Sequence, residues 1–101
     1  MTPGAYQTTF CFAPDHPSLP GHFPGRPLVA GVLLLEKVAE ALRAWRGERL
    51  ACLWEAKFVA PLHPAETAQL QLTPAGARVR FEVRRGGQLI ARGLVEGAAD
   101  A

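Results

Sequence analysis

The chain has 101 residues, of which 49% are hydrophobic and 20% are charged, and its formal net charge is +2. This length fits a single domain over residues 1–101, with a core so modest that association with a second copy would help to stabilise it. The small net charge argues against a nucleic-acid partner, and the sequence contains neither an apolar run of about 18 residues nor a recognisable secretory signal, which predicts a cytoplasmic protein without a membrane span.

The first part of the chain contains an extended segment and a long irregular loop. Over residues 5–13, side chains such as Tyr6 and Phe10 fall on one face and polar ones on the other, which predicts a strand. Residues 14–27 hold five prolines and two glycines, so we expect an ordered irregular loop there. Loops of this kind lie on protein surfaces and often carry function.

One helix is predicted over residues 31–45. This segment contains no proline and no internal glycine, it is rich in leucine and alanine, and Gly47 is placed to end it. On a helical wheel Glu36, Glu40 and Arg43 form a narrow polar stripe, and most other positions are apolar. A helix with so broad an apolar surface must be covered by other elements.

Four segments with alternating apolar side chains follow the helix, at residues 50–60, 67–73, 77–84 and 88–96. In the first of them the apolar-leaning face consists of Leu50, Cys52, Trp54, Ala56 and Phe58. The Gly86-Gly87 pair predicts a hairpin between the last two strands, and short connections favour antiparallel neighbours. The natural cover for the helix is an antiparallel sheet that curls around it, which is an α+β architecture.

The residue types exclude several kinds of site. Cys11 and Cys52 lie in apolar runs, so we expect buried free thiols rather than a disulfide framework. The sequence has no Cys/His cluster with zinc spacing, no glycine-rich phosphate loop and no serine-nucleophile elbow. Neither a metal nor a nucleotide cofactor is therefore predicted.

Candidate chemistry is concentrated where the loop enters the helix. A neutral imidazole at His22 can accept a proton near pH 7. The backbone N–H groups of Gly31 and Val32 begin the helix, where they are free to stabilise a developing enolate oxygen, and a glycine permits close approach. Glu36, within an apolar run, could be held in a cleft as the proton donor to a leaving hydroxyl. The residues alone leave open that His22 bonds only to local backbone and that Glu36 belongs to a solvated face with a Glu40–Arg43 pair.

A longer motif supports the first interpretation. Its residues, in chain order, are His22-Phe23-Pro24-Gly25-Arg26-Pro27, then Gly31-Val32-Leu33 and Glu36. This combination resembles the signature of the 3-hydroxyacyl-[acyl-carrier-protein] dehydratases of bacterial fatty-acid synthesis. The similarity extends more weakly through Ala56-Lys57-Phe58 and over most of the chain. It is greater to compact dehydratase-like proteins of specialised lipid or polyene pathways than to the housekeeping enzyme.

The resemblance implies a hot-dog fold, in which a sheet wraps around a central helix, and a dehydratase mechanism. His22 would remove a proton from the carbon beside the thioester carbonyl, and Glu36 would help the 3-hydroxyl to leave as water. The implied substrate-binding residues are Phe23, Pro24, Gly25, Gly31 and Val32. The resemblance also implies a homodimer in which His22 of one subunit faces Glu36 of the other. No cofactor is implied, because the phosphopantetheine arm arrives with the substrate on an acyl carrier protein.

Two other functions stay open at this point. The chain could be a non-catalytic hot-dog subunit that binds an acyl carrier or an acyl chain, or it could hydrolyse an acyl thioester. A basic strand face could dock an acidic carrier protein or could simply be a solvated sheet surface. The residues of that face are Arg78, Arg80, Arg84 and Arg85.

Overall fold

Five strands and one helix form the part of the chain that the computed structural model describes, residues 4–12 and 31–99. They are, in chain order, β1 (Tyr6–Phe10), α1 (Gly31–Arg46), β2 (Glu48–Phe58), β3 (Ala68–Ala75), β4 (Arg78–Arg85) and β5 (Gln88–Ala99). The predicted helix and all five predicted strands are confirmed, with ends that differ by at most three residues. The predicted irregular loop at residues 14–27 lies outside the described residues.

The strands form one antiparallel sheet with the order β1-β3-β4-β5-β2. The strands β3, β4 and β5 follow one another through short turns, whereas β2 lies beside β5, at the edge of the sheet. The α1 helix packs on one face of this sheet, which confirms the predicted α+β architecture.

The α1 helix ends where its sequence predicts. Gly47 has a φ of 67°, a left-handed conformation that suits glycine, and its N–H donates a hydrogen bond to the carbonyl oxygen of Arg43 at 2.8 Å. The apolar stripe of the helix is buried against the sheet. Its buried residues are Leu33, Leu34, Val38, Ala41 and Leu42.

The core lies between this stripe and the inner face of the sheet. Alternate residues of β3 and β4 supply most of the core residues that come from the sheet, as the period of a strand requires. These residues are Ala68, Leu70, Leu72, Val79, Phe81 and Val83, all at most 1% exposed. Gly93 of β5 allows close packing here, because a Cβ at this position would collide with the Glu55 carbonyl oxygen and the Phe81 ring.

The predicted alternation along β2 is wrong at its centre. Register shifts against β5 fall between Leu50 and Cys52 and between Leu53 and Glu55. A bulge inserts an extra residue and reverses the faces beyond it. As a result Leu53, opposite buried Val95, lies on the helix side of the sheet.

Trp54 lies on the other side of the sheet. Its indole N–H donates to a carboxylate oxygen of Glu96 at 3.0 Å, and the Arg78 guanidinium stacks 3.8 Å from the ring centroid. The predicted placement of Trp54 with Ala56 and Phe58 is therefore incorrect.

Both cysteines are free thiols, as predicted, but their predicted burial is wrong. Cys11 is exposed and Cys52 is partly exposed. Cys11 stands between Phe10 and Phe12, which are both buried, so the alternation of an extended chain turns the thiol outward. Residues 10–12 thus form an alternating segment in which the cysteine occupies the outward-facing position.

Candidate active site

The structure places three of the predicted site residues. Gly31, Val32 and Glu36 all lie in the first turns of α1. The other predicted residues, His22 and the Phe23-Pro24-Gly25 segment, lie outside the described residues. The predicted cooperation of His22 with Glu36 therefore stays a prediction.

A cleft of about 490 Å³ opens beside the first residue of α1. Its walls come from the start of the helix and from the chain that leaves β2. The lining residues are Gly31, Leu34, Phe58, Val59, Ala60, Pro61 and Leu62. The first N–H groups of a helix have no partner within it and carry the positive end of the helix dipole. The cleft therefore combines apolar walls with a helix terminus that favours a partly negative oxygen.

Phe58 is a site residue that the sequence interpretation missed. Its ring covers Gly31 so closely that a Cβ added at Gly31 would lie 2.8 Å from Cζ and 3.1 Å from each Cε. Close packing against the Phe58 ring thus explains why residue 31 is a glycine, in addition to the predicted approach of a substrate oxygen. The signal in the sequence was the Ala56-Lys57-Phe58 stretch, whose last residue occupies an apolar position at the end of a strand.

Glu36 and Val32 share one exposed face of α1, because they are four residues apart. The Glu36 carboxylate is exposed in the single chain, as the solvated-face alternative expects. Val32 on the same face is 62% exposed, although it is a large apolar side chain. Further along, Glu40 pairs with Lys37 at 3.5 Å, an exposed ion pair that adds little stability. The face that holds Glu36 is therefore partly apolar and uncovered within one chain.

The wall of the cleft formed by Pro61 is tied to β4 by Arg85. Nη1 of Arg85 donates to the Pro61 carbonyl oxygen at 3.1 Å and to a Glu66 carboxylate oxygen at 2.9 Å. The same Glu66 oxygen accepts the backbone N–H of His63 at 2.8 Å. The hydrogen bond from His63 and, after it, the hydrogen bond and charge of Arg85 hold the pKa of Glu66 below its usual value. Arg85 is therefore a structural residue of the cleft wall.

The predicted basic strand face is a surface of mixed charge. Arg85 is engaged with Glu66, Arg78 stacks on Trp54, and Arg84 lies 3.6 Å from the carboxylate of Glu82. These contacts offset part of the positive charge that a docking face would present. The solvated-surface interpretation fits these contacts better than a uniformly basic face.

No metal-binding group accompanies the cleft in the part of the chain that the structure describes. Over residues 4–12 and 31–99, no three His, Cys, Asp or Glu side chains come together as metal ligands would. The same residues include no helix that is both long enough and apolar enough to cross a membrane.

Comparison with protein families identifies the group to which this chain is related. Residues 2–94 match the model of the ApeI-like family, whose description is ApeI dehydratase. The chain belongs to the ApeI-like dehydratase family.

Curated relatives agree with that membership. The 3-hydroxyacyl-[acyl-carrier-protein] dehydratase FabZ of Thermus thermophilus is 35% identical over 94 residues, which cover 82% of this chain and 62% of the relative. FabZ of Chlamydia trachomatis is 30% identical over 95 residues, covering 78% of this chain and 62% of the relative. The chain thus spans about 62% of the length of these curated relatives. The resemblance drawn from the motif is confirmed.

Solved structures confirm the hot-dog fold of this ApeI-like chain. The dehydratase heterocomplex ApeI:P from Xenorhabdus doucetiae has a TM-score of 0.82 at 21% identity, covering 93% of this chain and 87% of that one. A 1,4-dihydroxy-2-naphthoyl-CoA thioesterase from Synechocystis has a TM-score of 0.66 at 16% identity, covering 96% and 90%. At these identities the likeness establishes the fold alone.

Proposed function

We propose that this ApeI-like protein dehydrates a 3-hydroxyacyl thioester to the trans-2-enoyl thioester. The observation that carries the proposal is the apolar cleft beside Gly31, the first residue of α1. This cleft occurs in a chain that belongs to a dehydratase family. The FabZ relatives are named for substrates on acyl carrier protein, and we propose the same carrier here. The pathway would be fatty-acid synthesis or a related lipid or polyene pathway, in the cytoplasm.

The first step would be proton removal from the carbon next to the thioester carbonyl. His22 takes this proton as the general base, and the electron pair moves toward the carbonyl oxygen. The backbone N–H groups of Gly31 and Val32 donate hydrogen bonds to that oxygen as its negative charge grows. Donors of this kind are effective because they are already oriented before the reaction begins.

The second step would be departure of the 3-hydroxyl group as water. Glu36 donates a proton to the hydroxyl oxygen, the bond from carbon to oxygen breaks, and the double bond forms between the second and third carbons. Proton transfer from His22 back to Glu36 then restores the starting state. The step needs no separate cofactor, since the phosphopantetheine arm belongs to the substrate.

The walls of the cleft suit an acyl chain. Phe58, Val59 and Pro61 present exposed apolar surface beside the helix terminus, where burial of a hydrocarbon chain is favourable. The loop segment Phe23-Pro24-Gly25 is proposed to complete the substrate-binding surface next to Gly31 and Val32.

The proposal includes a dimer with shared sites, in which His22 of one subunit faces Glu36 of the other. The uncovered apolar side chain of Val32 beside Glu36 supports it, because a subunit seated there would remove both groups from bulk water. At micromolar concentration the purified protein should therefore sediment with the mass of a dimer.

A second candidate function is a non-catalytic partner subunit. The structurally similar ApeI:P protein is a dehydratase heterocomplex, in which two kinds of chain meet. If this chain were a non-catalytic subunit, it would bind an acyl carrier without turnover, and that binding would be insensitive to Glu36→Gln. Thioester hydrolysis is the third candidate, because thioesterases share the fold.

A turnover assay separates the three candidates. The purified protein is incubated with a 3-hydroxyacyl carrier or a 2-enoyl carrier, and interconversion is followed by mass spectrometry. His22→Ala and Glu36→Gln should each lower the rate by about 100-fold or more, because each removes a general acid or base. Glu40→Gln is the matched control, since Glu40 lies one turn further along the same face and should retain the wild-type rate.

Each alternative gives a different result in this assay. Equal background rates in wild type and His22→Ala would contradict the dehydratase proposal. Carrier binding without turnover would favour the non-catalytic subunit. Release of free thiol from the acyl carrier would favour the thioesterase.

A further inference from the structure

A tight turn follows the cleft wall and holds an alanine in the left-handed region of backbone conformation. The turn consists of His63-Pro64-Ala65-Glu66, and the backbone N–H of Glu66 donates to the carbonyl oxygen of His63 at 3.3 Å. Pro64 stands at its second position, and Ala65, at its third, has a φ of 71°. This is the pattern of a type II turn, which requires a positive φ at the third position and favours glycine there. Among the described residues, Ala65 is the only one other than glycine with a positive φ.

The conformation of Ala65 is strained, because a Cβ in the left-handed region crowds the neighbouring backbone. Ala65 is exposed, so burial of its methyl group offsets little of this strain. Strained residues persist only where their surroundings fix them, and they cluster at functional sites. In this turn the surroundings are hydrogen bonds on both sides of Ala65, and they lead to the two sides of the candidate cleft.

The N–H of Ala65 ties the turn to the chain beyond the first strand. It donates to the Phe12 carbonyl oxygen at 2.7 Å, a bond that lies past the last paired residues of β1 and β3. Phe12 is 5% exposed, and the Lys37 ammonium group lies over its ring, 5.5 Å from the centroid. Lys37 follows Glu36 in α1. Through Phe12 the turn is thus connected to the part of the helix that carries the proposed proton donor.

The carboxylate of Glu66 ties the same turn to the cleft wall. One of its oxygens accepts a hydrogen bond from Nη1 of Arg85 at 2.9 Å, and the same Nη1 donates to the carbonyl oxygen of Pro61 at 3.1 Å. Pro61 lines the cleft opposite the start of α1. The turn therefore joins both sides of the cleft, and the conformation of Ala65 lets both connections form at once.

We propose that Ala65 is a positioning residue, whose left-handed conformation sets the width of the acyl-binding cleft between Pro61 and the start of α1. Ala65 does not line the cleft. It acts by directing its N–H to Phe12 while the Glu66 carboxylate stays within reach of Arg85, and these hydrogen bonds offset the strain. The inference rests on the proposed function, because it takes the cleft as the site that binds the acyl thioester.

Binding of an unreactive ligand tests the proposal. The probe is hexanoyl-pantetheine with an amide in place of the thioester, and its Kd is measured by NMR titration at a temperature at which each variant is folded. Ala65→Val should raise the Kd about tenfold, because a β-branched residue is an outlier at positive φ. Ala65→Asn should stay within about threefold of wild type, since asparagine tolerates this conformation. Ala77→Val changes an exposed alanine without a positive φ in the β3–β4 turn and should leave the Kd unchanged.

A double variant tests whether Ala65 acts through the wall. Arg85→Ala removes the guanidinium that joins Glu66 to Pro61. In that background Ala65→Val should raise the Kd by about threefold or less, because part of the connection that it disrupts is already lost. Effects of the two changes that multiply in full would show that they are independent and would contradict the proposal.

The strain is measured without any ligand. Ala65→Gly should raise the melting temperature by a few degrees, because glycine adopts a positive φ without crowding, and should keep the Kd within about threefold of wild type. Hydrogen exchange reports the bond to Phe12. The Ala65 amide should exchange about tenfold faster or more in Ala65→Val than in wild type, while the amides of Val79 and Phe81 in the core of β4 report that the fold is retained.

Several results would overturn the inference. These are an Ala65→Val variant that binds the amide as wild type does, and an Ala65→Gly variant with a lowered melting temperature. If Ala65→Val does not fold, Pro64→Ala replaces it. This change frees the second position of the turn and should raise the Kd by about threefold, so an unchanged Kd would contradict the proposal equally.

The binding and exchange measurements are independent of turnover. A wild-type protein that binds the amide in a manner that depends on Ala65, yet dehydrates no 3-hydroxyacyl carrier, would contradict the proposed function and leave this inference intact. An active dehydratase whose affinity for the amide does not depend on Ala65 would do the reverse.

Discussion

The ring of Phe58 fills the space that a side chain at Gly31 would need, with its Cζ atom 2.8 Å from the position of a Cβ. This contact joins the last residue of β2 to the first residue of α1. Both residues also line the candidate cleft, so the same contact shapes the site and holds the helix terminus in place. We therefore expect the effect of a substitution at Gly31 on stability to depend on whether the aromatic ring of Phe58 is present.

Gly31→Ala should lower the free energy of unfolding by about 1 kcal/mol or more, because the added methyl group overpacks against the Phe58 ring. The second change Phe58→Ala should remove this penalty, so the effect of Gly31→Ala should be near zero in that background. A double-mutant cycle by chemical denaturation measures the coupling. Additive effects of the two changes would contradict the proposed contact.

Phe58→Ala should alter which acyl chains the cleft accepts. Removal of the ring enlarges the apolar space beside the helix terminus, so the ratio of kcat/KM for bulky over short acyl groups should rise by about tenfold. Substrates of graded length on acyl carrier protein supply the measurement. Val59→Ala, which changes a neighbouring cleft residue that does not cover Gly31, is the control and should change the ratio much less.

Arg85→Ala should loosen the Pro61 wall of the cleft. The change leaves the Pro61 carbonyl oxygen and the Glu66 carboxylate without the guanidinium that joins them. We expect a melting temperature lower by a few degrees and a raised KM with a smaller change in kcat. Arg85→Lys can keep one of these contacts and should recover part of the loss, whereas a KM equal to that of wild type would contradict a role in the wall.

Glu66 should make stability depend on pH in the acid range. Its pKa in the folded chain lies below the ordinary value of 4.5, chiefly because the backbone N–H of His63 donates to the ionised carboxylate. A group with a lowered folded pKa stabilises the protein above its unfolded pKa and loses that contribution as pH falls through the folded value. The melting temperature of wild type should therefore exceed that of Glu66→Gln at pH 7, and this gap in melting temperature should close below about pH 4. A gap that is the same at pH 7 and pH 3 would contradict the shift.

Most secondary structure could be predicted because its causes are local. The helix over residues 31–45 follows from composition and from Gly47, whose left-handed conformation does end it. The hairpin at Gly86-Gly87 and the strands around it follow from alternation and turn chemistry. The motif that begins at His22 likewise indicates the dehydratase family without any knowledge of contacts between distant residues.

Other features depend on partners far away in the chain. Simple alternation predicts the wrong face for Trp54, because the bulge in β2 arises from pairing with β5, which no local pattern contains. The sequence leaves open whether Arg85 belongs to a docking face or to a solvated sheet surface, because its sequence neighbours give no sign of the contact with Glu66, 19 residues away.

By itself the sequence determined the helix, the strands, the fold class and the family, since these follow from periodicity, turn residues and a contiguous motif. Only the tertiary structure decided that β2 stands at the edge of the sheet, that Phe58 covers Gly31, and that Leu53 rather than Trp54 shares the face of Phe58. The physical reason is that strand order, register and close contacts are set by hydrogen bonds and packing between distant segments. Their energies depend on the folded arrangement and not on any one stretch of residues.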